Sequence, residues 1–339
     1  MTDAGRSVRL SICIPTYNRA RFLRECLASV LDSARGFEDQ VEVLVSDNAS
    51  PDDTAETVAA LQREYPALRY HRNETNTGDR NFAIAAGLAS GSHVWLFGDD
   101  DKMTPQAVPA VLRQVEAGYD LIIANYSVWS QDLSAARRLR HLPGRTDRVF
   151  DDPDELLACF GVHLAYISAV VIKKPLLYQP SYGAFRESAE YGLSFLHSAY
   201  ASMFPTCHAI YLSTPLFHNR SGNSMPDPAL WERVFLTGSA HVFGALWELG
   251  YSPEAVAAAE RGLLRGFVLP TILGRVRDGQ GARGMLRPLL PRYGRSAFFW
   301  LACAPAMFAP GFLLKGATTL ARWIRRARQQ AQSRWETRG

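Results

Sequence analysis

The 339-residue sequence predicts an α/β fold: a mostly parallel, doubly wound sheet with a helical C-terminal extension. Three observations carry this. Short apolar runs alternate with segments of helical periodicity through the first 130 residues, helix-starting and helix-stopping residues punctuate them, and conspicuous polar residues gather where the apolar runs end.

The elements follow in order. Leu10 to Ile14 form a compact apolar run closed by Pro15, and Arg21 to Leu31 place apolar residues at helical spacing. The run VEVLVSD ends at Asp47, and SPDDTAETVAALQREY follows, with Ser50 expected as N-cap, Pro51 at the first helical position and acids in the first turn. LRYHRN is a third strand, ahead of an Ala-rich helix in NTGDRNFAIAAGLASG that stops at Gly91. HVWLFG is a fourth strand, TPQAVPAVLRQVEAG a helix closed by Gly118, and DLIIANYSVW a fifth strand. Such alternation implies parallel strands covered on both faces, with ligands beyond the carboxyl ends of the strands.

After Trp129 the rhythm weakens. SQDLSAARRLRHLPGRTDR reads as a polar, basic loop or short hairpin and YISAVVIKK as a further strand. YGAFRESAEYGLSFLHSAYASMF contains a loop and then a helix, AIYLSTPLFHNRSGNSMP a strand and a turn, and Pro228 to Gly274 is helical. A domain boundary is expected near residue 225, giving domains 1–225 and 226–339.

A formal charge of +4 excludes a generic nucleic-acid binder, so no nucleic-acid partner is expected. The five cysteines are scattered, with neither C-x-x-C spacing nor paired Cys/His motifs, which argues against a disulfide framework or structural zinc and for a reducing compartment. The opening MTDAGRSVRLSICIP carries a strand rather than a signal peptide.

The chemistry concentrates in HVWLFGDDDKM, where a buried strand runs into Asp99, Asp100 and Asp101. Like charges packed at one strand end repel, and a hard divalent cation, magnesium or manganese, would offset that repulsion. The competing reading is a helix N-terminus decorated with acids. Other strand ends favour a site. IPTYNR puts Pro15, Thr16 and the Tyr17 ring just past the first strand, and VSDNAS puts Asp47 past the second as an acceptor for base or ribose. NTGDRN supplies Arg80 for phosphate.

Residues 8–130, through SICIPTYNRARFLRECLASVL, VEVLVSDNASPDDTAETV and NTGDRNFAIAAGLASGSHVWLFGDDD, resemble a family 2 glycosyltransferase of the GT-A fold. The GDDD form, with YISAVVI later, is similar to the abequosyltransferase-like branch of bacterial surface-polysaccharide enzymes. The resemblance implies a nucleotide-sugar half over 8–130, an acceptor half over 131–225, a nucleotide-diphosphate sugar donor, a divalent cation and a hydroxyl acceptor. It assigns Asp100 to the metal, Asp101 to the same site in a mainly orienting role, Asp99 to the ribose, and Thr16, Tyr17 and Asp47 to the nucleoside. Arg80 falls near the diphosphate. Two departures stand out: Gly98 replaces the first acid of the usual D-x-D-D, and the NTGDRN block is shorter than in most members. The resemblance also asks for a base on the acceptor side, for which FRESAEYGLSFLH offers Glu190 first and Glu187 second. HNRSGNS supplies Arg220 as a phosphate contact, with a surface loop as its alternative.

Ala297 to Leu314 is an uncharged stretch interrupted by Pro305 and Pro310, better suited to an interfacial or re-entrant segment than to a span. KGATTLARWIRRARQQAQSRW follows with an apolar face beside arginines, the pattern of a helix lying on anionic lipid, or of a packing helix with a solvated basic face. Segment 297–328 is therefore the expected membrane-associating element. The sequence reading is a metal-dependent glycosyltransferase at the cytoplasmic face of the plasma membrane, acting on a glycan or polyprenyl-diphosphate-linked oligosaccharide in lipopolysaccharide or capsule synthesis. Its alternative is a catalytically silent nucleotide-binding or membrane-associated assembly protein of the same fold.

Overall fold

The computed structural model describes residues 8–177, 194–222 and 238–311. Among the described residues a ten-stranded sheet forms the centre, eight strands in the order β3-β2-β1-β4-β9-β6-β10-β5, with β7 paired to β6 and β8 to β10. The strands are β1 (Leu10–Thr16), β2 (Val41–Asp47), β3 (Arg69–Arg72), β4 (His93–Leu96), β5 (Lys102–Met103), β6 (Leu121–Trp129), β7 (Ala136–Arg138), β8 (Arg148–Phe150), β9 (Val170–Lys173) and β10 (Ala209–Arg220). β1 runs parallel to β2 and β4, β2 to β3, and β6 to β10, as the repeated strand–helix units require. β9 enters antiparallel between β4 and β6, so the residues leading into it arrive beside the carboxyl end of β4.

β1 and β2 are buried along their whole length, which explains their near-continuous apolar composition. Helix α1 (Ala20–Ala34) buries Leu23, Cys26, Leu27, Val30 and Leu31, the spacing of a single helical face. Helices α2 (Thr54–Glu64), α3 (Arg80–Leu88) and α4 (Ala107–Glu116) complete the crossovers expected from the sequence. Two local readings change and one resolves between its alternatives. Helix α2 begins at Thr54 with Asp53 as its cap residue, because Ser50 N–H donates to Asp47 Oδ1 (2.8 Å) and draws Ser50 into the turn after β2. The strand expected over YISAVVIKK is confined to Val170–Lys173, its first part forming tight 3₁₀ turns. The polar stretch after β6 contains β7, paired antiparallel to β6, a short hairpin.

The chain separates into two compact units, residues 1–259 and 260–339, whereas a boundary near 225 was expected from the sequence. In the second unit, the helical turns Leu264–Val268 and Phe299–Cys303 widen to π geometry shortly before Pro270 and Pro305. Each proline lacks an N–H, and the widened turn lets the helix continue past it. Pro305 thus sits inside the helix 297–308, while Pro310 lies beyond its end. Among the described residues no helix is long and apolar enough to cross a membrane. The expected basic helix after Lys315 lies outside the described residues.

Gly91 marks a close approach that the sheet depends on. A Cβ there would lie 2.7 Å from Ser11 Oγ, 2.8 Å from Ser11 N and 3.0 Å from Leu10 C, all on β1. Gly91→Ala should therefore destabilise the fold by about 2 kcal/mol or more, read as a lowered urea midpoint. An unchanged midpoint would mean that β1 and the 89–92 turn separate freely.

Candidate active site

The site is assembled where β1, β2 and β4 end together. Parallel pairing sets Thr16 beside Asp47 across β1 and β2, and Cys13 beside Leu96 across β1 and β4. The loop after β4 therefore delivers its aspartates next to the last residues of β1. Thr16 Oγ1 donates to Asp99 Oδ2 at 2.7 Å. Arg19, the residue that caps α1, donates through Nη1 to Asp100 Oδ2 at 2.9 Å and Asp99 Oδ1 at 3.3 Å. An open cavity of about 470 Å³ lies here, walled by Pro15, Thr16, Tyr17, Arg19, Asn48, Asn76, Gly98, Asp99, Asp100 and Tyr166 among others. Tyr17 remains 43% exposed, its ring available for stacking.

The three aspartates occupy three environments. Asp101 is completely buried and is not among the residues lining the cavity. The Tyr166 hydroxyl and Ser168 Oγ each donate to its carboxylate at 2.6 Å, and Asn219 Nδ2 lies 3.4 Å from Oδ1. Burial pushes the Asp101 carboxyl up to about 7, reinforced by the nearby Asp100 and opposed by its hydrogen-bond donors. Asp99 is also buried, which lifts it to about 6; Arg19 pulls it down and Asp100 pushes it up. Burial works against the charge on Arg19, but Asp99 and Asp100 outweigh it and hold the guanidinium above its ordinary value. Asp100 sits at the cavity with 15% of its side chain exposed.

The same packing explains Gly98. A Cβ at this position would lie 3.0 Å from Asp101 Oδ2, 3.2 Å from Ser168 Oγ and 3.4 Å from Asp100 Oδ1. Its N–H donates to Ser168 Oγ at 2.8 Å. An acid in place of Gly98 would put a fourth carboxylate inside this ring.

Several residues singled out in the sequence take other places. Asp47 is fully buried and accepts from Ser50 N, from the Tyr70 hydroxyl at 2.6 Å and from Arg72 Nη1 at 2.7 Å; it does not line the cavity. Arg80 is exposed at the start of α3 and is likewise absent from the lining, whereas Arg19 is the guanidinium at the carboxylates. Arg220, 5% exposed at the end of β10, donates from Nε to the Asp100 carbonyl (2.7 Å), from Nη1 to the Gln131 carbonyl (2.9 Å) and from Nη2 to the Glu25 carboxylate. Its guanidinium also lies over the Phe22 ring at 5.4 Å. Glu187 and Glu190 lie outside the described residues.

An asparagine lattice that sequence reasoning passed over builds one cavity wall. Asn48 Nδ2 donates to Asn76 Oδ1 (2.8 Å), and Asn48 Oδ1 accepts from Asn73 Nδ2 and Thr77 N, both 2.9 Å. Asn81 closes on Ser46 in both directions, fixing the start of α3 to the end of β2. The turns after β1 and β2 are held together by Asn18 N donating to Ser50 Oγ and Ala20 N to Asp52 Oδ2, both 2.9 Å. Asn18 and Ala49 take φ values of 55° and 62°, strained conformations for residues with side chains, within these two turns.

Residues 11–173 match the Glycosyl transferase family 2 model. Over 233 residues the chain is 28% identical to abequosyltransferase RfbV of Salmonella typhimurium, covering 63% of this chain and 67% of that one. Over 119 residues it is 31% identical to a GalNAc(5)-diNAcBac-PP-undecaprenol beta-1,3-glucosyltransferase of Campylobacter jejuni, covering 34% of this chain and 38% of the relative. Among solved structures, S. aureus TarS 1–349 in complex with UDP superposes with a TM-score of 0.59 at 18% identity, covering 85% of this chain and 87% of TarS. The mannosyltransferase PcManGT of Pyrobaculum calidifontis, in complex with GDP-Man and Mn²⁺, gives 0.53 at 16% identity, covering 92% and 80%. These likenesses show the GT-A fold.

The Arg220 contacts make a prediction about how the aspartate loop is held. Arg220→Ala removes a nearly buried guanidinium together with its hydrogen bond to the Asp100 carbonyl and should cost about 2–4 kcal/mol in urea unfolding. Arg220→Lys should recover only part of this, because one ammonium does not span three separate acceptors. Full stability of Arg220→Ala would show that the loop holds itself.

Proposed function

Since the chain carries a family 2 glycosyltransferase domain, we propose that it moves a sugar from a nucleotide-diphosphate sugar to a hydroxyl of a lipid-linked glycan at an anionic membrane surface, in bacterial surface-polysaccharide synthesis. The observation that carries this reading is the pairing of Asp99 and Asp100 with one cation, Arg19, at the cavity where β1 and β4 end. A cavity with an exposed ring on one side and carboxylates on the other suits a nucleoside joined to a charged diphosphate. Tyr17 stacks the base, Pro15 and Thr16 shape the floor, and Asp99 reaches the ribose.

The donor set fits a hard divalent cation. Its two carboxylates supply oxygen ligands, and the Arg19 guanidinium already shows that positive charge is accommodated between them. A magnesium or manganese ion held here would draw its remaining oxygen ligands from the donor and from water. Asp100 is the direct ligand in this reading. Asp101, whose carboxylate already accepts from Tyr166 and Ser168, orients the loop from behind. When bound, the ion neutralises charge on the departing nucleoside diphosphate.

The chain's own part in the reaction is positioning and proton removal. Glu190, or Glu187 in its stead, takes the proton of the acceptor hydroxyl as that oxygen bonds to the anomeric carbon. The bond from that carbon to the diphosphate oxygen breaks, and its electron pair leaves with the nucleoside diphosphate. Arg19 is available to follow the negative charge from the carboxylates to the diphosphate. The Campylobacter relative, a GalNAc(5)-diNAcBac-PP-undecaprenol beta-1,3-glucosyltransferase, supports a glycan acceptor carried on lipid.

Calorimetric titration against uridine, cytidine, guanosine and thymidine diphosphate sugars, with and without manganese, tests the reading. One nucleotide class should bind in a metal-dependent manner, and Asp100→Asn should weaken that binding and lower turnover by about 100-fold or more. Absence of binding to every donor would overturn the proposal. Glu190→Gln should keep donor binding while lowering transfer by about 100-fold or more. If neither Glu190→Gln nor Glu187→Gln slows transfer, the base lies elsewhere; donor binding without any turnover in the native protein would favour a silent assembly protein.

A further inference from the structure

The formal charge of the whole chain conceals a division between its two units. Residues up to Ala259 contain 22 Lys and Arg against 30 acids, whereas residues from Glu260 onward contain 15 against three. In the described part of the second unit both acids are already matched, Glu260 by Arg292 and Asp278 by Arg277. A one-sided basic segment of this kind is complementary to an anionic surface.

The helix 297–308 adds a second, independent observation. Phe299, Cys303, Ala304 and Met307 are buried within the unit. The other side of the helix presents Trp300, Leu301 and Phe308, exposed by 49%, 81% and 51%. Surface helices ordinarily turn polar residues outward, yet no charged residue occurs anywhere from Ser296 to Leu314. Beside Phe308 lies a cavity of about 500 Å³ whose lining includes Arg275, Arg283, Gly279 and Gly281. The Arg283 guanidinium sits over the Phe308 ring at 5.5 Å, so cation and apolar ring share one edge. Gly279 and Gly281 have φ of +79° and +68°, and a Cβ at either would meet nothing within 4 Å beyond its chain neighbours. The Gly281 carbonyl accepts from Arg275 Nε at 3.2 Å, which ties that arginine to the cavity rim.

We infer that this face of the second unit docks on an anionic bilayer, with Trp300, Leu301 and Phe308 entering the interfacial layer and the Arg275–Arg283 cavity receiving a lipid phosphate. The inference deepens the membrane-surface part of the proposed function, moving the contact into described residues and naming the side chains that make it. Exposed apolar residues flanked by arginines bind such surfaces by burying apolar area and by attraction to anionic headgroups, and both terms are present here.

Co-sedimentation of the full chain with phosphatidylcholine vesicles, with and without phosphatidylglycerol, provides the test. The native protein should sediment with the anionic vesicles and remain largely in solution with the neutral ones. Leu301→Asp should lower the vesicle partition coefficient by about tenfold or more, and Arg283→Ala by about fivefold. Both variants should retain metal-dependent donor binding in solution. Vesicle binding unchanged in both variants would overturn the inference and point to residues 312–339. Equal binding to neutral vesicles, or a Leu301-dependent dimer in analytical ultracentrifugation, would overturn it as well, the latter assigning the face to a second copy. Loss of donor binding in the native protein would strike the transferase reading instead and leave the vesicle result standing.

Discussion

The buried carboxylate of Asp101 is the interaction on which the candidate site depends. An ionisable group with no solvent exposure is costly unless its oxygens are met by donors, and here the donors come from distant parts of the chain. Tyr166 and Ser168 arrive with the antiparallel strand β9, and Asn219 with the end of β10. The loop after β4 is thereby tied to the half of the sheet that follows residue 130. Ser168 strengthens the tie: its carbonyl accepts from Trp95 Nε1 at 2.8 Å, while its hydroxyl accepts from Gly98 N. A Cβ at position 98 would crowd this junction, at 3.0 Å from Asp101 Oδ2 and 3.2 Å from Ser168 Oγ.

Three adjacent acids can coexist because each is given different surroundings. Asp101 is placed among neutral donors, Asp99 is shared between Thr16 and Arg19, and Asp100 reaches the cavity against the same guanidinium. Burial raises the two buried members, and repulsion from Asp100 adds to it. Arg220 adds a constraint through the backbone rather than the charge, fixing the Asp100 carbonyl and joining β10 to α1 through Glu25. A carboxylate whose main chain is held in this way keeps its position whichever cation lies beside it.

Periodicity made the strands and crossover helices legible, because each depends on residues close in sequence: the runs ending at Pro15, Asp47 and Leu96 and the helical face of α1 all follow from local pattern. The aspartate cluster was legible as well, since three like charges after an apolar run are conspicuous in any window. Pairings across the fold were not. Nothing near Arg19 announces that it meets carboxylates some 80 residues away, although its place at the start of α1, just past the IPT strand end, was the available signal. Asp47 looked like a free acceptor until Tyr70 and Arg72, delivered by β3, were found to occupy it. Arg80 drew attention as a cation in NTGDRN, while the same block's Asn76 and Asn81 form the wall; amides carry no charge to mark them, and their partners lie on β2 and in the loop that follows it.

The two units solve opposite electrostatic problems. The first carries more acids than bases and sets Arg19 against the carboxylates of its candidate site, whereas the second is rich in arginine and exposes an apolar ridge. An enzyme whose acceptor is confined to a bilayer gains from reversible attachment, because attachment confines the search to two dimensions while release permits exchange between membranes. Reversibility limits the strength of the contact. Each fully buried large apolar side chain contributes about 1.5–3 kcal/mol and each arginine near an anionic surface about 1 kcal/mol. Trp300, Leu301 and Phe308 are only partly free to insert, so together with a few arginines they reach useful affinity without the permanence of a spanning helix. Salt screens the arginine share and leaves the apolar share intact, so the balance between the two distinguishes this mode of attachment from a purely polybasic one.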